Sequence, residues 1–167
     1  MPVTLIDENN IRQLPPLERY DECWNRLQHN EDESVRWDAV WLLGEIIEQT
    51  KDKDLIAKVA DAFEYVCKND SNAVVVHEAS YQIAARDLRD KIPVLIDVSL
   101  NHPRILAKHE AIEALGLMRA FEVEDDIAKL KDDPNPDVRE TARFVLKRFS
   151  RQKLSDKKDD YAPGNIL

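Results

Sequence analysis

Alanine stands at the same place in four stretches that align without gaps: Val35-Arg36-Trp37-Asp38-Ala39, Val75-Val76-His77-Glu78-Ala79, Ala107-Lys108-His109-Glu110-Ala111 and Val138-Arg139-Glu140-Thr141-Ala142. Four residues before each alanine comes Val35, Val75, Ala107 or Val138, and four after it Leu43, Ile83, Leu115 or Leu146. Small and apolar residues at i, i+4 and i+8 form one buried stripe on a helix, and alanine at its centre lets a neighbouring helix come close. Ala39 to Ala79 is 40 residues, Ala79 to Ala111 is 32 and Ala111 to Ala142 is 31. A period of this size is one helical hairpin, which cannot bury its stripe alone and stacks on the next. The predicted fold class is all-α: an α-solenoid, or αα-superhelix, of about four hairpins.

Each hairpin needs a first helix. Leu17, Tyr20, Trp24 and Leu27 keep a 3, 4, 3 spacing, and Leu55, Ile56, Val59, Phe63 and Val66 repeat it, as do Val94, Leu95 and Val98 after Pro93. The alanine-bearing helices are predicted over 34–50, 71–88, 103–119 and 136–150. Glycine occurs only 3 times in 167 residues, too seldom for the tight turns of an all-β chain. Pro15, Pro16, Pro93, Pro103, Pro134 and Pro136 stand at the starts of periodic segments or between them, where proline is tolerated. Beyond Ser150 the period fades, so the organisation read is one repeat domain over 1–150 and a flexible C-terminal tail over 151–167.

Charge and cysteine usage exclude several classes. Lys and Arg number 24 against 33 Asp and Glu, a net charge of −9, which argues against recognition of a nucleic-acid backbone. The longest unbroken apolar run, Ala39 to Leu43, is far short of the roughly 20 residues of a membrane span. No apolar stretch of signal-peptide length follows Arg12, and Cys23 and Cys67 form no Cys-x-x-Cys pair. The expectation is a cytoplasmic protein that engages neither nucleic acid nor membrane. No Gly-rich phosphate loop and no Gly-x-Ser-x-Gly is present.

The repetition breaks in the two columns before the alanine, which read Trp37-Asp38, His77-Glu78, His109-Glu110 and Glu140-Thr141. Residues one and two places before a core-facing alanine sit about 100° and 200° around the helix, so at least one lies on the groove or its rim. Equivalent helices of adjacent hairpins run side by side at roughly 8–10 Å, close enough for histidines in one column to lean together. His77, Glu78, His109 and Glu110 are therefore the candidate metal ligands, a mixed imidazole and carboxylate set that suits iron or manganese, and also zinc.

Leu42-Leu43-Gly44 and Ala114-Leu115-Gly116 follow their alanines at one distance, and the resulting Val-Arg-x-x-Ala-x-x-Leu-Leu-Gly pattern resembles the short HEAT-like repeat of bilin lyases and related proteins. The stretches 75–79 and 107–118, with Asp90-Lys91-Ile92-Pro93-Val94-Leu95-Ile96-Asp97-Val98 between them, resemble more specifically the His-Glu motifs of deoxyhypusine hydroxylase. The resemblance runs from about Ser34 to Phe149 and covers half of that enzyme. It implies a HEAT-repeat di-iron monooxygenase that uses four His-Glu dyads, two in each half of a pseudo-symmetric molecule. Only two dyads stand here, and Ile83-Ala84-Ala85 replaces a stretch where that family usually has glycine. Carried onto this chain, the resemblance implies a homodimer holding a dinuclear iron site between subunits, and an O₂-dependent hydroxylase. A cationic protein or amine-bearing substrate fits the acidic surplus. The alternative is a non-catalytic HEAT-like scaffold for protein binding.

Other residues read as structural. Trp37 and Trp41, four apart, are expected to pack at the end of the array, where terminal repeats need atypical caps. Cys67 reads as a small buried residue, His29 as a cation at a helix end, His102 as exposed in a turn and Glu113 as a solvated charge.

Overall fold

The computed structural model describes residues 6–154 and is helical throughout the repeat region, as the alanine column requires. The helices are α1 (Ile6–Arg12), α2 (Pro16–His29), α3 (Glu33–Gln49), α4 (Lys53–Asn69), α5 (Ala73–Ala85), α6 (Ile92–Asn101), α7 (Ile105–Leu117), α8 (Glu124–Ala128) and α9 (Pro136–Leu154). They pair into four hairpins, α2–α3, α4–α5, α6–α7 and α8–α9. Helices α3, α5, α7 and α9 pack side by side in one layer, with α2, α4, α6 and α8 behind them. The last helix carries on through Leu154, past the point where the apolar period fades, and positions 155–167 of the expected tail lie outside the described residues.

Short polar side chains set where the helices start. Asp32 accepts from the Ser34 amide at 2.8 Å, Asp52 from Asp54 and Leu55, and Asn72 from Val74 and Val75, each meeting amides that a first helical turn leaves unpaired. Asn135 does the same for Asp137 at the head of α9. Between the second and third hairpins the chain leaves α5 through Asp87 at φ 47°, and between the third and fourth it leaves α7 through Arg119 at φ 52°. In each turn the following amide returns to a carbonyl five residues back, Leu88 to Ile83 and Ala120 to Leu115. These are Schellman closures built without the usual glycine, and each leads into a single 3₁₀ turn.

Ala39, Ala79, Ala111 and Ala142 are all fully buried, as are Leu43, Ile83 and Leu115. Val35 and Leu146, at the outer ends of the stripes on the first and last of these helices, are half-buried. Basic residues three places before the alanine tie the hairpins' own turns together. Arg36 donates to the Asn30 and Glu31 carbonyls, Lys108 to Leu100 and Arg139 to Asp133 and Pro134. Each thereby satisfies carbonyls around the end of the preceding helix or in the turn that follows. The first-helix stripes hold for Leu55, Val59, Phe63, Val66, Val94, Leu95 and Val98, all buried. In α2 the stripe is rotated: Arg19, Cys23 and Leu27 are buried and Leu17 is exposed. Arg19 turns inward because α1 lies against α2 and α3 and offers it the Arg12 carbonyl, with Gln49 on its other side.

Candidate metal centre

The alanine stripe decides where the two dyads point. With Val75, Ala79 and Ile83 buried on α5, and Ala107, Ala111 and Leu115 on α7, the histidines His77 and His109 fall on the open face of the layer and are half-buried. The glutamates Glu78 and Glu110, one residue on, turn into the seam towards the preceding helix and are buried. The consequence is a partnership between hairpins rather than within a dyad. Glu110 on α7 reaches back to α5, placing its Oε2 3.0 Å from His77 Nε2. Thr141, which occupies the glutamate column on α9, likewise reaches back to α7, with its Oγ1 2.8 Å from His109 Nδ1.

Glu78 follows the same geometry in the α3–α5 seam, where the first hairpin offers Trp37 in place of histidine. Its carboxylate accepts from Gln82 Nε2 at 2.7 Å, one turn along α5. Gln82 is fully buried and lies against Gly44 of α3, where a β-carbon would come within 2.0 Å of Gln82 Oε1. That amide oxygen has no hydrogen-bond partner. Gly44 thus makes room for the side chain that orients Glu78, as Gly116 makes room for Val145 in the α7–α9 seam.

Electrostatics couple the groups. The hydrogen bond with Glu110 raises the His77 imidazole above its ordinary value, against burial, and the charges of Glu110 and Glu78 add to the rise. Burial raises the Glu78 carboxyl, against the pull of the Gln82 amide and of His77. Two carboxylates around one imidazole favour a positive charge between them, either a proton on His77 or a bound cation.

As a donor set, two imidazoles and two carboxylates match what iron, manganese and zinc accept. Among the described residues, no three His, Cys, Asp or Glu side chains of the one chain already converge as a cation cage. His77 and Glu110 come together, Glu78 lies in the next seam and His109 is held towards α9. The donor chemistry fits a metal, while within the one chain the four donors are spread over neighbouring seams.

A cavity of about 520 Å³ opens beside His109, lined by Ile105, Leu106 and Phe144 on its apolar side and by Glu113, Asp137 and Glu140 on its acidic side. Glu113 is no isolated solvated charge, since Arg148 lies 3.5 Å from it. Trp37 and Trp41 stack with centroids 6.4 Å apart on α3, and Trp37 stands in the histidine column, while α1 packs against the first hairpin. The tryptophans lie on the first helix of the layer, at the end of the array, with Trp37 open to a cavity it shares with Val74. His102 is half-buried at the end of α6, its Nδ1 accepting from the Arg104 amide at 3.1 Å, and His29 is the exposed last residue of α2. Cys23 and Cys67 are free and buried, and burial pushes each thiol up to about 12. Thr141 and Gln82 belong to no motif that the sequence alone displays. Thr141 carries one signal, its place in the column of Glu78 and Glu110.

The fold and this column of cross-hairpin pairs define a helical-repeat protein with a His-Glu site on its inner face. No family model matches the chain. Over 120 residues it is 32% identical to deoxyhypusine hydroxylase of Saccharomyces cerevisiae, covering 69% of this chain and 36% of that one. It is 36% identical over 89 residues to the Arabidopsis thaliana deoxyhypusine hydroxylase, covering 50% of this chain and 27% of that one, and 31% identical over 95 residues to that of Homo sapiens, covering 56% and 30%. The solved structure of human deoxyhypusine hydroxylase superposes with a TM-score of 0.65 at 25% identity, covering 86% of this chain and 48% of that one. The chain is a shorter, deoxyhypusine hydroxylase-like relative of these proteins, spanning about a third of the curated sequences and about half of the solved one.

Proposed function

We propose that this protein is a metal-dependent hydroxylase of the deoxyhypusine hydroxylase type, whose dinuclear iron centre is held by His77, Glu78, His109 and Glu110 from each of two copies. The observation that carries the reading is the His77–Glu110 pair, an imidazole and a carboxylate 3.0 Å apart on the inner face, in a chain that matches half of a solved deoxyhypusine hydroxylase. Two-fold homodimers are the commonest oligomers, and such an axis doubles the donor set. Trp37, Val74, Leu106 and Phe144 are large and exposed. Leu106 and Phe144 share the cavity of His109, and Trp37 and Val74 share another at the first two hairpins. Apolar groups beside a polar centre suit a face that a second copy covers.

A reduced iron pair supplies O₂ activation for hydroxylation of a C–H bond. This chain's own residues bind and orient. The cavity beside His109 combines an apolar wall with Glu113, Asp137 and Glu140, which suits an alkyl chain ending in an amine. Ile105, Leu106 and Phe144 give the alkyl part an apolar wall beside His109, and the carboxylates draw the cation in.

The test is elemental analysis and light scattering of protein purified without chelator and loaded anaerobically with ferrous iron. About one iron per chain in a dimer is expected, dropping to background in His77→Ala/His109→Ala with the helical signal intact. Background metal in the wild type as well would overturn the hydroxylase reading and leave a protein-binding scaffold.

A further inference from the structure

The two histidines of the site are not equivalent, and the difference lies in the fourth hairpin. His77 meets an acceptor-only carboxylate through Nε2, whereas His109 meets a hydroxyl through Nδ1. A threonine hydroxyl has one proton to give. Thr141 Oγ1 lies 2.6 Å from the Asp137 carbonyl oxygen one turn back, and two oxygens approach that closely only with a proton between them. The carbonyl cannot donate, so the hydroxyl proton belongs to that bond. The 2.8 Å contact to His109 then requires Nδ1 to carry the ring proton and donate it. Thr141 is buried, which keeps water from supplying an alternative partner.

Resting on the metal-site reading above, we propose that Thr141 is a positioning residue: it holds neutral His109 in the Nδ1–H form and so presents Nε2, with its lone pair, as the metal-binding atom. The bond that one ring nitrogen makes decides which nitrogen remains for a metal.

Long-range proton–nitrogen correlation spectra of ¹⁵N-labelled, metal-free protein at about pH 8, where imidazoles are largely neutral, read the ring form directly. His109 is identified by its loss in His109→Gln. Wild type and Thr141→Ser are expected to show His109 protonated at Nδ1. Thr141→Val keeps the shape and removes the hydroxyl, and it is expected to lose that preference and to bind Zn²⁺ roughly 10- to 100-fold more weakly by calorimetry. A wild-type His109 protonated at Nε2, or a valine variant with the wild-type ring form, overturns the proposal. The wild-type spectrum alone makes the first of these tests, so a misfolded valine variant does not spare it. Absence of Zn²⁺ binding in a wild type whose ring form does depend on Thr141 overturns the metal reading instead.

Discussion

His77 and Glu110 face each other across the seam between α5 and α7, 3.0 Å apart, and each comes from a different hairpin of the solenoid. Because the hydrogen bond to Glu110 raises the His77 imidazole above 6.5, folding binds a proton there more tightly than the unfolded chain does. The stabilisation is fully present below 6.5 and drains away as pH rises through the folded value. Burial raises Glu78 and acts in the same sense, from 4.5 upward. Metal-free wild type is therefore expected to lose more of its melting temperature between about pH 6 and about pH 9 than His77→Ala does. Equal losses in the two proteins would show that the pair carries no linkage.

Gly44 and Gly116 occupy equivalent places, yet their alanine variants are expected to differ. Alanine gains about 1 kcal/mol of helix propensity over glycine at either position. At Gly116 the nearest atom, Val145 Cγ2, is 3.0 Å from the new methyl, a contact that small shifts relieve. At Gly44 the methyl meets Gln82 Oε1 at 2.0 Å and Cδ at 2.8 Å, so the buried amide must move and release Glu78. Gly44→Ala is expected to lower stability by about 1 kcal/mol net, overpacking outweighing propensity. In a Gln82→Ala background the same change is expected to be neutral or stabilising. Denaturant titration of the four proteins of this cycle checks the sign, and additive effects would remove Gln82 from the account.

Arg36 holds the first hairpin to the second. Its Nε and Nη2 lie 2.7 and 3.1 Å from the two oxygens of Asp70, whose side chain is only 6% exposed. Arg36→Ala leaves that carboxylate buried without its cation and is expected to cost about 3 kcal/mol. Chemical denaturation provides the measure, and a cost no larger than that of an exposed substitution would mean that Asp70 finds water.

How much of this is legible in the sequence follows from which interactions are local. The alanine column registers a packing constraint that every hairpin shares, so Ala39, Ala79, Ala111 and Ala142 mark the four second helices without help from the structure. From the second hairpin on the first helices shrink, from the 17 residues of α4 through the 10 of α6 to the 5 of α8, too few for a period to declare itself. The identity of the candidate ligands is legible because two of the chain's four histidines stand in one repeat column, each followed by glutamate. Their pairing is not. Whether Glu110 meets His109 or His77 depends on the lateral offset of α7 against α5, which no single helix encodes. Thr141 stays silent for the same reason: its role exists only relative to a ring on the neighbouring helix.

Phe144 is 65% exposed beside His109, on a helix whose other apolar residues are largely buried. With Ile105 and Leu106 it forms an apolar patch rather than a lone exposed ring, which suits the surface that the proposed dimer covers. Phe144→Asp breaks no contact of the buried core and is expected to leave the melting temperature of dilute protein within about 2 °C, as surface substitutions do. Placed in the dimer contact, the same carboxylate is desolvated against apolar neighbours and meets its own symmetry mate, so the variant is expected to sediment as a monomer. If the metal centre is built from both copies, iron per chain falls together with the dimer, although His77, Glu78, His109 and Glu110 are untouched. Joint loss of dimer and iron in this variant ties the centre to the interface. Full iron content in a monomer would place all the ligands within one chain.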